Sequence, residues 1–497
     1  MTGCGLGSLE RARSEGRKPR RRAGHGVTGT RLGLGASLSA IALVLTACGE
    51  APVEMEEMSA DITASLNAAS SSEAVSDRTA IDLSVGFEPA LRAAVEANEG
   101  YRAALRREEE ATSRIGVAAS VRRPQISGNA NLGGIRETGG TQPDDTTTGV
   151  AAGINISQLI YDAGASAAAV NSATAEALAA QAGRQARGNE IALEAARAWI
   201  DVWQFEARLA LLRQRTAEMD GLIAQMERMA ANGMVDRAAM DSARRQVVDI
   251  TLEETRLQSQ LDAAQVRFER LFNRAGGNLG QPDPLLTMAE AEAVTTAWQT
   301  APELQRTAAQ MVVAQNAVTQ AEAAFRPTAR LQAGVSSPME EGESTDTTLG
   351  LMVEYQFGDG GRRRAELASA EARAEAAEEQ LTDAQRRLQA ELAASITQLR
   401  SIESSMPLVA EQIRLSASEA ETSRSQITTG QSNLRQLVEA EVENYRAQDR
   451  QIAMRAERQM LLLTIAARTG ELGRRIGLQT ERPSEERDAL TLASQDQ

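Results

Sequence analysis

Cysteine, histidine and aromatic residues are scarce in this chain of 497 residues. Aromatic side chains make up only 3% of the sequence, too few to fill the cores of several large globular domains. No cysteine or histidine follows Cys48. A thiol nucleophile, a histidine-based triad and a zinc site with nitrogen or sulfur ligands are therefore excluded from the rest of the chain. The sequence favours a protein that is not an enzyme and that uses no metal or cofactor.

Basic residues are also in deficit, and the formal net charge is −15. The first 47 residues contain eight basic and two acidic residues, so the remainder carries −15 minus +6, or −21. A chain this acidic is not expected to bind nucleic acid, because phosphates need basic partners. The dominant residues are alanine, arginine, glutamate, glutamine and leucine, a composition typical of long helices.

Residues 1–47 have the pattern of a lipoprotein signal peptide. Arginines precede an apolar run, Leu32–Ala47, which is short for a membrane span but suits a signal-peptide core. The run leads into Leu45-Thr46-Ala47-Cys48, a match to a bacterial lipobox in which Cys48 becomes the lipidated N-terminus. The alternative is an ordinary exported protein with a chance cysteine. Residues 48–82 lack periodicity and are predicted to be a tether.

One long pattern occurs twice in the chain. Asp162-Ala163-Gly164 opens an alanine-rich stretch to Gly233, and Asp359-Gly360-Gly361 opens a matching stretch to Gly430, 197 residues later (430 minus 233). Such a repeat predicts an elongated architecture. The predicted segments are repeat 1 at 83–274, a linker at 275–287, repeat 2 at 288–472 and a disordered tail at 473–497.

Each repeat contains two segments in which apolar and polar residues alternate. These segments predict strands at about 124–135, 148–161, 327–337 and 346–357. An apolar face opposite a polar face is typical of a membrane barrel, whereas the alternative is a hairpin packed on a soluble core. Strands in lipid must close into a barrel, and four are too few. Twelve strands from three chains is the simplest closure.

Helical patterns fill most of each repeat, and they predict hairpins at 164–273 and 361–470. Apolar residues from Leu209 to Ala230 recur at alternating spacings of three and four, as in antiparallel coiled coils. Helices at about 101–122 and 302–326 would stack on the return helices to match the long ones. The predicted fold is mostly α with a β-barrel contribution: a trimeric 12-stranded membrane barrel and a periplasmic α-barrel tunnel.

Several local motifs carry a family resemblance over about residues 83–472. They are Ala301-Pro302-Glu303-Leu304, the strand-opening Pro124 and Pro327, the junctions 159–164 and 355–361, and the hairpin tips 231–236 and 429–434. These motifs resemble the outer-membrane efflux protein (TolC) family, lipoprotein type. The first copy departs at Asn98-Glu99-Gly100, where Asn-Pro-Glu is usual. The resemblance implies a homotrimer, lipid-anchored in the outer membrane and extending into the periplasm, which meets a periplasmic adaptor protein and an inner-membrane pump.

The family closes its tunnel near the hairpin tips with charged and polar pairs. By resemblance, the aperture candidates are Glu421, Glu419, Glu411 and Arg414 in the second copy and Asp220 and Glu227 in the first. The spacing of Glu421 from Gly430 resembles that of the family's aperture acid. The alternative for each residue is a solvated charge on a helix face. Gly233 and Gly430 are the candidate adaptor-docking tips.

Three functions are compatible with this sequence. The first is the outer-membrane channel of a tripartite efflux pump, a passive conduit for small molecules. The second is the channel of a type I protein secretion system, and the third is a periplasmic coiled-coil scaffold without a pore. Lipidation favours the first, because family members that export drugs and metals are often lipidated.

The lipobox predicts that Cys48 carries the lipid anchor. Labelled fatty acid is expected to enter the wild-type protein and not Cys48→Ser, because the thiol is the acylated group. Membrane insertion is expected to survive the substitution, since a barrel is itself an anchor. Equal labelling of the two proteins would contradict the prediction.

Overall fold

The computed structural model describes residues 55–69, 80–137, 145–231, 237–338, 345–428 and 434–478. Helix α1, Met55–Ala69, belongs to a unit of its own, residues 1–78. It lies in the segment predicted to be a tether, 48–82, for which no helix was predicted. The sequence reading overlooked that Met58, Ile62 and Leu66 recur at helical spacing.

Residues 79–497 contain two copies of one series of elements. The first copy comprises α2 Phe87–Ala97, α3 Glu99–Ser120, β1 Gln125–Glu137, β2 Asp145–Tyr161, α4 Ala165–Ala231 and α5 Arg237–Phe272. The second comprises α6 Met288–Thr296, a 3-10 turn Trp298–Thr300, α7 Pro302–Ala323, β3 Thr328–Pro338, β4 Asp346–Glu354, α8 Arg362–Thr428, α9 Leu434–Thr469 and α10 Glu471–Arg475. The prediction of a mostly helical fold with two repeats and a small antiparallel sheet is confirmed.

The helices of the two copies correspond in length. α4 and α8 have 67 residues each, α5 and α9 have 36 each, and α3 and α7 have 22 each. The offset between copies is 203 from α3 to α7 (302 minus 99) but 197 from α4 to α8 (362 minus 165). The second copy is therefore shorter by six residues (203 minus 197) between these helices, within its β-hairpin.

An aspartate caps each long helix where it leaves the sheet. The side chains of Asp162 and Asp359 accept hydrogen bonds from the backbone N–H of Gly164 at 3.1 Å and of Gly361 at 3.0 Å. Both glycines have positive φ, 90° and 93°, which a residue without a Cβ adopts readily. A side-chain hydrogen bond from Arg363 holds the pKa of Asp359 at about 2.

The four strands form one antiparallel sheet in the order β1-β2-β3-β4. Cross-strand pairs place Ile126, Ile156, Ala333 and Leu349 in one row on the apolar face. A bulge before Tyr161 adds one residue to β2 and so turns this side chain toward the same face. Within the described sheet, β1 and β4 each have a neighbour on one side only.

The helices pack beside one another in four rows. α3 and α5 follow each other along one side of α4, and α7 and α9 follow each other along its other side. α8 packs on the row of α7 and α9. Consequently α4 is buried or half-buried over most of its described length, whereas α8, of equal length, is exposed over most of its own.

An aromatic cluster forms the centre of the core where the stacked helices meet along α4. Phe268 stacks on Phe272 with ring centroids 4.2 Å apart, and Trp199 meets Phe87 edge to face at 5.4 Å. The Trp199 indole N–H donates a hydrogen bond to the Gly280 carbonyl at 3.2 Å. This hydrogen bond holds the predicted linker, residues 275–287, against the core.

The chain beyond α9 differs from the predicted disordered tail, 473–497, at its beginning. Leu472, Ile476 and Leu478 are buried, and the Gly473 N–H donates to the Asn189 side chain at 2.8 Å. The polar composition of this segment hides a contact with α4 that lies far away in sequence. Residues 479–497 are outside the described part of the chain.

The aromatic cluster predicts a large effect for Phe268→Ala. Phe268 is fully buried, so the change is expected to cost about 3–5 kcal/mol of stability. Loss of helical circular dichroism on heating in detergent is the measurement. Phe357→Ala is the matched control, because its ring is 92% exposed and its loss should cost less than about 0.5 kcal/mol. Equal midpoints for both variants would contradict this account of the core.

Candidate functional site

The predicted aperture residues of the second copy lie on α8, in the part that approaches the hairpin tip. Glu421 pairs with Arg424 at 3.0 Å, and its side chain is 74% exposed. Glu411 and Arg414 pair with each other at 2.6 Å, and this hydrogen bond lowers the pKa of Glu411. Glu419 is exposed and forms no ion pair with any described residue.

The candidates of the first copy are not joined to those of the second. Asp220 is exposed on α4, and Glu227, also exposed, lies 3.5 Å from Arg244 of α5. Among described residues, no hydrogen bond or ion pair connects either one to α8. Cys48, Gly233 and Gly430 lie outside the described residues.

A chain of charged side chains instead connects α8, α9 and α4. Arg424 of α8 donates a hydrogen bond to one carboxylate oxygen of Glu441 on α9 at 2.5 Å. The other oxygen of Glu441 accepts a hydrogen bond from Arg215 of α4. Arg215 also reaches Glu218 at 3.2 Å. We call Glu421, Arg424, Glu441, Arg215 and Glu218 the charged chain.

The middle of the charged chain is shielded from water. The side chains of Arg215 and Glu441 are 6% and 7% exposed, whereas that of Arg424 is 52% exposed. The Arg215 Nε atom has no hydrogen-bond partner among the described residues. Removing one partner of a buried ion pair leaves an uncompensated charge, at a cost of about 3–5 kcal/mol. Loss of either side chain alone is therefore expected to weaken the contact between α4 and α9.

A second ion pair joins the same two helices farther from the tips. Arg208 of α4 donates two hydrogen bonds, at 2.7 and 3.0 Å, to the two carboxylate oxygens of Asp449 on α9. Tyr445 lies between the two ion pairs on α9. Burial, with the nearby carboxylates of Asp449 and Glu253, raises the pKa of Tyr445 to about 12. Its hydroxyl therefore stays neutral at physiological pH.

A cavity of about 280 Å³ lies beside the charged chain, between α4, α8 and α9. Its lining includes the small side chains of Ala417 and Ala420 and the amides of Gln214, Asn444 and Gln448. The cavity is partly open to solvent, so water can reach its polar lining. At this level, charged contacts beside the cavity therefore contribute to the contact between α9 and α4.

Sequence reasoning identified Glu421 but missed its partners. Arg208 and Arg215 lie seven residues apart, each directly before a core position of the coiled-coil pattern. Glu441 and Asp449 have a similar spacing on α9. Charges at such positions pair across helices, so the heptad register was a usable signal. The sequence did not indicate which helix carries the partner charges, because α4 and α9 come from different repeats.

The described part of the chain contains neither a metal-binding group of side chains nor a helix able to span a membrane. No group of three or more acidic, histidine or cysteine side chains there is arranged to hold a metal. None of the described helices has the length and apolar composition that crossing a membrane would require.

Comparison with known proteins decides the family. The sequence matches the outer membrane efflux protein family over residues 90–274 and 293–471. The chain belongs to this family. Because the family consists of passive channels, membership confirms the prediction that the protein is not an enzyme. No curated protein matches the sequence.

Solved structures of outer membrane efflux proteins share the fold. CusC has 16% sequence identity and a TM-score of 0.67, covering 76% of this chain and 91% of its own. VceC from Vibrio cholerae has 17% identity and a TM-score of 0.69, covering 76% and 95%. The MtrE outer membrane channel of Neisseria gonorrhoeae, solved in an open state, has 17% identity and a TM-score of 0.64, covering 78% and 89%. At these identities the likeness shows the fold alone.

The charged chain predicts that Glu441→Gln loosens α9 from α4. The substitution leaves Arg215 buried without its carboxylate, and separation of the helices would return that charge to water. Backbone amides in the first turns of α9 are expected to exchange hydrogen for deuterium faster than in the wild type.

A double substitution supplies the control. Arg215→Met with Glu441→Leu replaces the buried pair by apolar side chains of similar size, which is often neutral or stabilising. It should restore slow exchange, and Arg424 can then be solvated at the surface. Unchanged exchange in Glu441→Gln would contradict the role given to this contact.

Proposed function

We propose that this protein is the outer-membrane channel of a tripartite efflux pump, a passive conduit for small molecules. Three chains would close a 12-stranded barrel in the membrane and a helical tunnel in the periplasm. The partners would be a periplasmic adaptor protein, docking at the tips around Gly233 and Gly430, and an inner-membrane pump. Cys48 would add a lipid anchor.

The observation that carries this proposal is that the sheet of one chain has an unpaired edge on each side. In the described sheet, β1 and β4 present outer edges without partners. Unpaired backbone groups are not tolerated in lipid, and closure into a barrel removes them. Because β1 and β4 run antiparallel to each other, the β4 edge of one chain can pair with the β1 edge of the next in a head-to-tail ring.

The outermost helices are likewise uncovered on their outer sides. Exposed apolar side chains line the outer flanks of α5 (Val248, Leu252 and Val266) and α8 (Leu408 and Leu415). Their exposed fractions lie between 53% and 70%. Apolar patches of this kind mark interaction surfaces. A neighbouring chain would bring α5 against α8 and cover both.

Ion pairs to α4 indicate how far each flank lies from the sheet along the axis of α4, a distance called height below. Arg267 of α5 pairs with Asp201 of α4 at 3.3 Å. Val266, the adjacent residue, therefore lies near the height of Asp201.

The height of α8 follows from its contacts through α9. Arg208 of α4 pairs with Asp449, and the neighbouring Arg450 donates a hydrogen bond to Gln412 of α8 at 3.1 Å. Leu408 lies one helical turn closer to the sheet than Gln412. It is thus within about one turn, roughly 5 Å, of the height of Val266.

We further propose that the charged chain holds the periplasmic aperture closed. It lies toward the tips, joins helices from both repeats, and has a water-accessible acid, Glu421, at its outer end. The resting aperture would narrow where α8 and α9 lean on α4. Acidic side chains at the narrowest point, including Glu411, Glu419 and Asp220, would favour cations.

Ring closure predicts disulfide cross-linking between Val266→Cys and Leu408→Cys in one chain. Each chain carries both positions, so oxidation is expected to give linked dimers and trimers and no larger species. Mobility on a non-reducing gel is the measurement. Lysine-directed cross-linkers are unsuitable, because Lys18 is the only lysine.

Each single cysteine variant is the control, since neither alone can link α5 to α8. An Arg107→Cys and Leu408→Cys pair, with residue 107 on α3 at a different height, controls for random collision. Absence of linked trimers, or a ladder beyond three chains, would contradict the proposed ring.

In planar bilayers the purified trimer should conduct ions, and Glu441→Gln should raise the fraction of time that the channel is open.

A further inference from the structure

Five exposed arginines lie where the strands meet the helices. They are Arg122, Arg123, Arg326, Arg362 and Arg364, called the arginine collar below. All lie at the end of the sheet nearest the helices, because the register pairs Gln125 with Ser157 and Thr328 with Glu354 at the ends of the strands.

Most of the arginine collar lacks a direct ion pair within the described residues, although the charges of Arg122 and Asp162 interact. Arg362 pairs with Glu366 at 2.8 Å, whereas the other four form no ion pair with any described carboxylate. The aspartates at this end, Asp162 and Asp359, accept backbone hydrogen bonds as helix caps, and Asp359 also binds the buried Arg363. Counted with the buried Arg363, six arginines lie at this end of the strands against the carboxylates of Asp162, Glu354, Asp359 and Glu366, so this end is net positive in a chain of net charge −15.

Next to the arginine collar, the sheet presents aromatic and then aliphatic side chains. Tyr161, Tyr355 and Phe357 are 48%, 44% and 92% exposed, and the ring centroids of Tyr355 and Phe357 are 4.9 Å apart. Beyond them, Ile126 and Leu351 are 71% and 62% exposed on the apolar face. Aliphatic, aromatic and charged side chains in this order match the depth profile of a membrane interface.

We propose that the arginine collar binds the headgroups of anionic phospholipids in the leaflet nearest the helices. The inference rests on the proposed membrane channel. A guanidinium group can bind a phosphate through two parallel hydrogen bonds, which an ammonium group cannot do. An anionic headgroup such as that of phosphatidylglycerol leaves its phosphate charge for arginine, whereas a zwitterionic headgroup neutralises it internally.

Thermal unfolding of the full-length protein in nonionic detergent tests this binding. Phosphatidylglycerol is expected to raise the unfolding midpoint by several degrees, while phosphatidylcholine of the same chain length and inorganic phosphate do not. The variant Arg122→Gln, Arg123→Gln, Arg326→Gln and Arg364→Gln should lose more than half of that shift. Arg107→Gln, Arg245→Gln, Arg386→Gln and Arg446→Gln, which change as many exposed helical arginines elsewhere, should keep it.

Equal shifts with the two lipids, or a full shift in the collar variant, would overturn the inference. If the glutamine variant does not fold, lysine at the same four positions decides. It keeps the charge but loses the paired hydrogen bonds, so it should need several-fold more phosphatidylglycerol, and an unchanged lipid dependence would overturn the proposal. Ion efflux from phosphatidylcholine vesicles separates the two proposals. If neither the wild type nor the collar variants release ions, the channel is contradicted. If ions are released but phosphatidylglycerol does not raise the unfolding midpoint more than phosphatidylcholine, only the collar proposal is contradicted.

Discussion

The unpaired backbone groups on the outer edges of β1 and β4 impose a condition that the single chain does not meet. In water, the edges of a sheet of four strands can be hydrated, but in lipid those edges need partners. The helices below repeat the condition with side chains. Rows of helices cover α4 on both sides, yet α8 has a covered side and an open one, although it is built from the same repeat unit. The neighbouring copy of the proposed ring would satisfy the sheet and the helices in a single step.

The same reasoning explains why two repeats of equal length differ in burial. α4 supplies Ile191, Trp199, Ile200 and Leu212 to the core, all at 5% exposure or less. α8 is more polar and keeps large apolar residues exposed at Leu408 and elsewhere. A duplicated helical hairpin is therefore a buried central support in one copy and an exposed surface in the other, where the proposed ring would bring a neighbouring chain.

Stability is unevenly distributed along α4. Near its middle, an aromatic cluster and the segment after α5 pack tightly around Trp199, and α10 docks close by. Toward the tips, α9 is held to α4 by Arg208 with Asp449 and Arg215 with Glu441, beside a polar cavity. Charges that separate can be solvated by water, whereas apolar side chains that separate lose their packing with no such compensation. In the proposed channel this division would let one end open while the rest stays assembled.

By itself the sequence determined most of what depends on local periodicity, helix α1 excepted. The period of two identified four strands, the 3-4 spacing identified the long helices, and the aspartate–glycine motifs at residues 162–164 and 359–361 fixed where the sheet passes into them. It also determined the repeat, which requires only that similar stretches recur. The assignment of Glu421 to the aperture, which came from the family resemblance, stays a prediction.

Tertiary structure decided the contacts between segments that are far apart in sequence. Glu441 meets Arg215 because α9 of the second repeat lies against α4 of the first, and no local pattern encodes that choice. The docking of Leu472 and Leu478 on α4, and the hydrogen bond from Trp199 to the segment after α5, are hidden for the same reason. Each residue in such a contact has an ordinary local environment, and only the packing of helices across repeats brings the partners together.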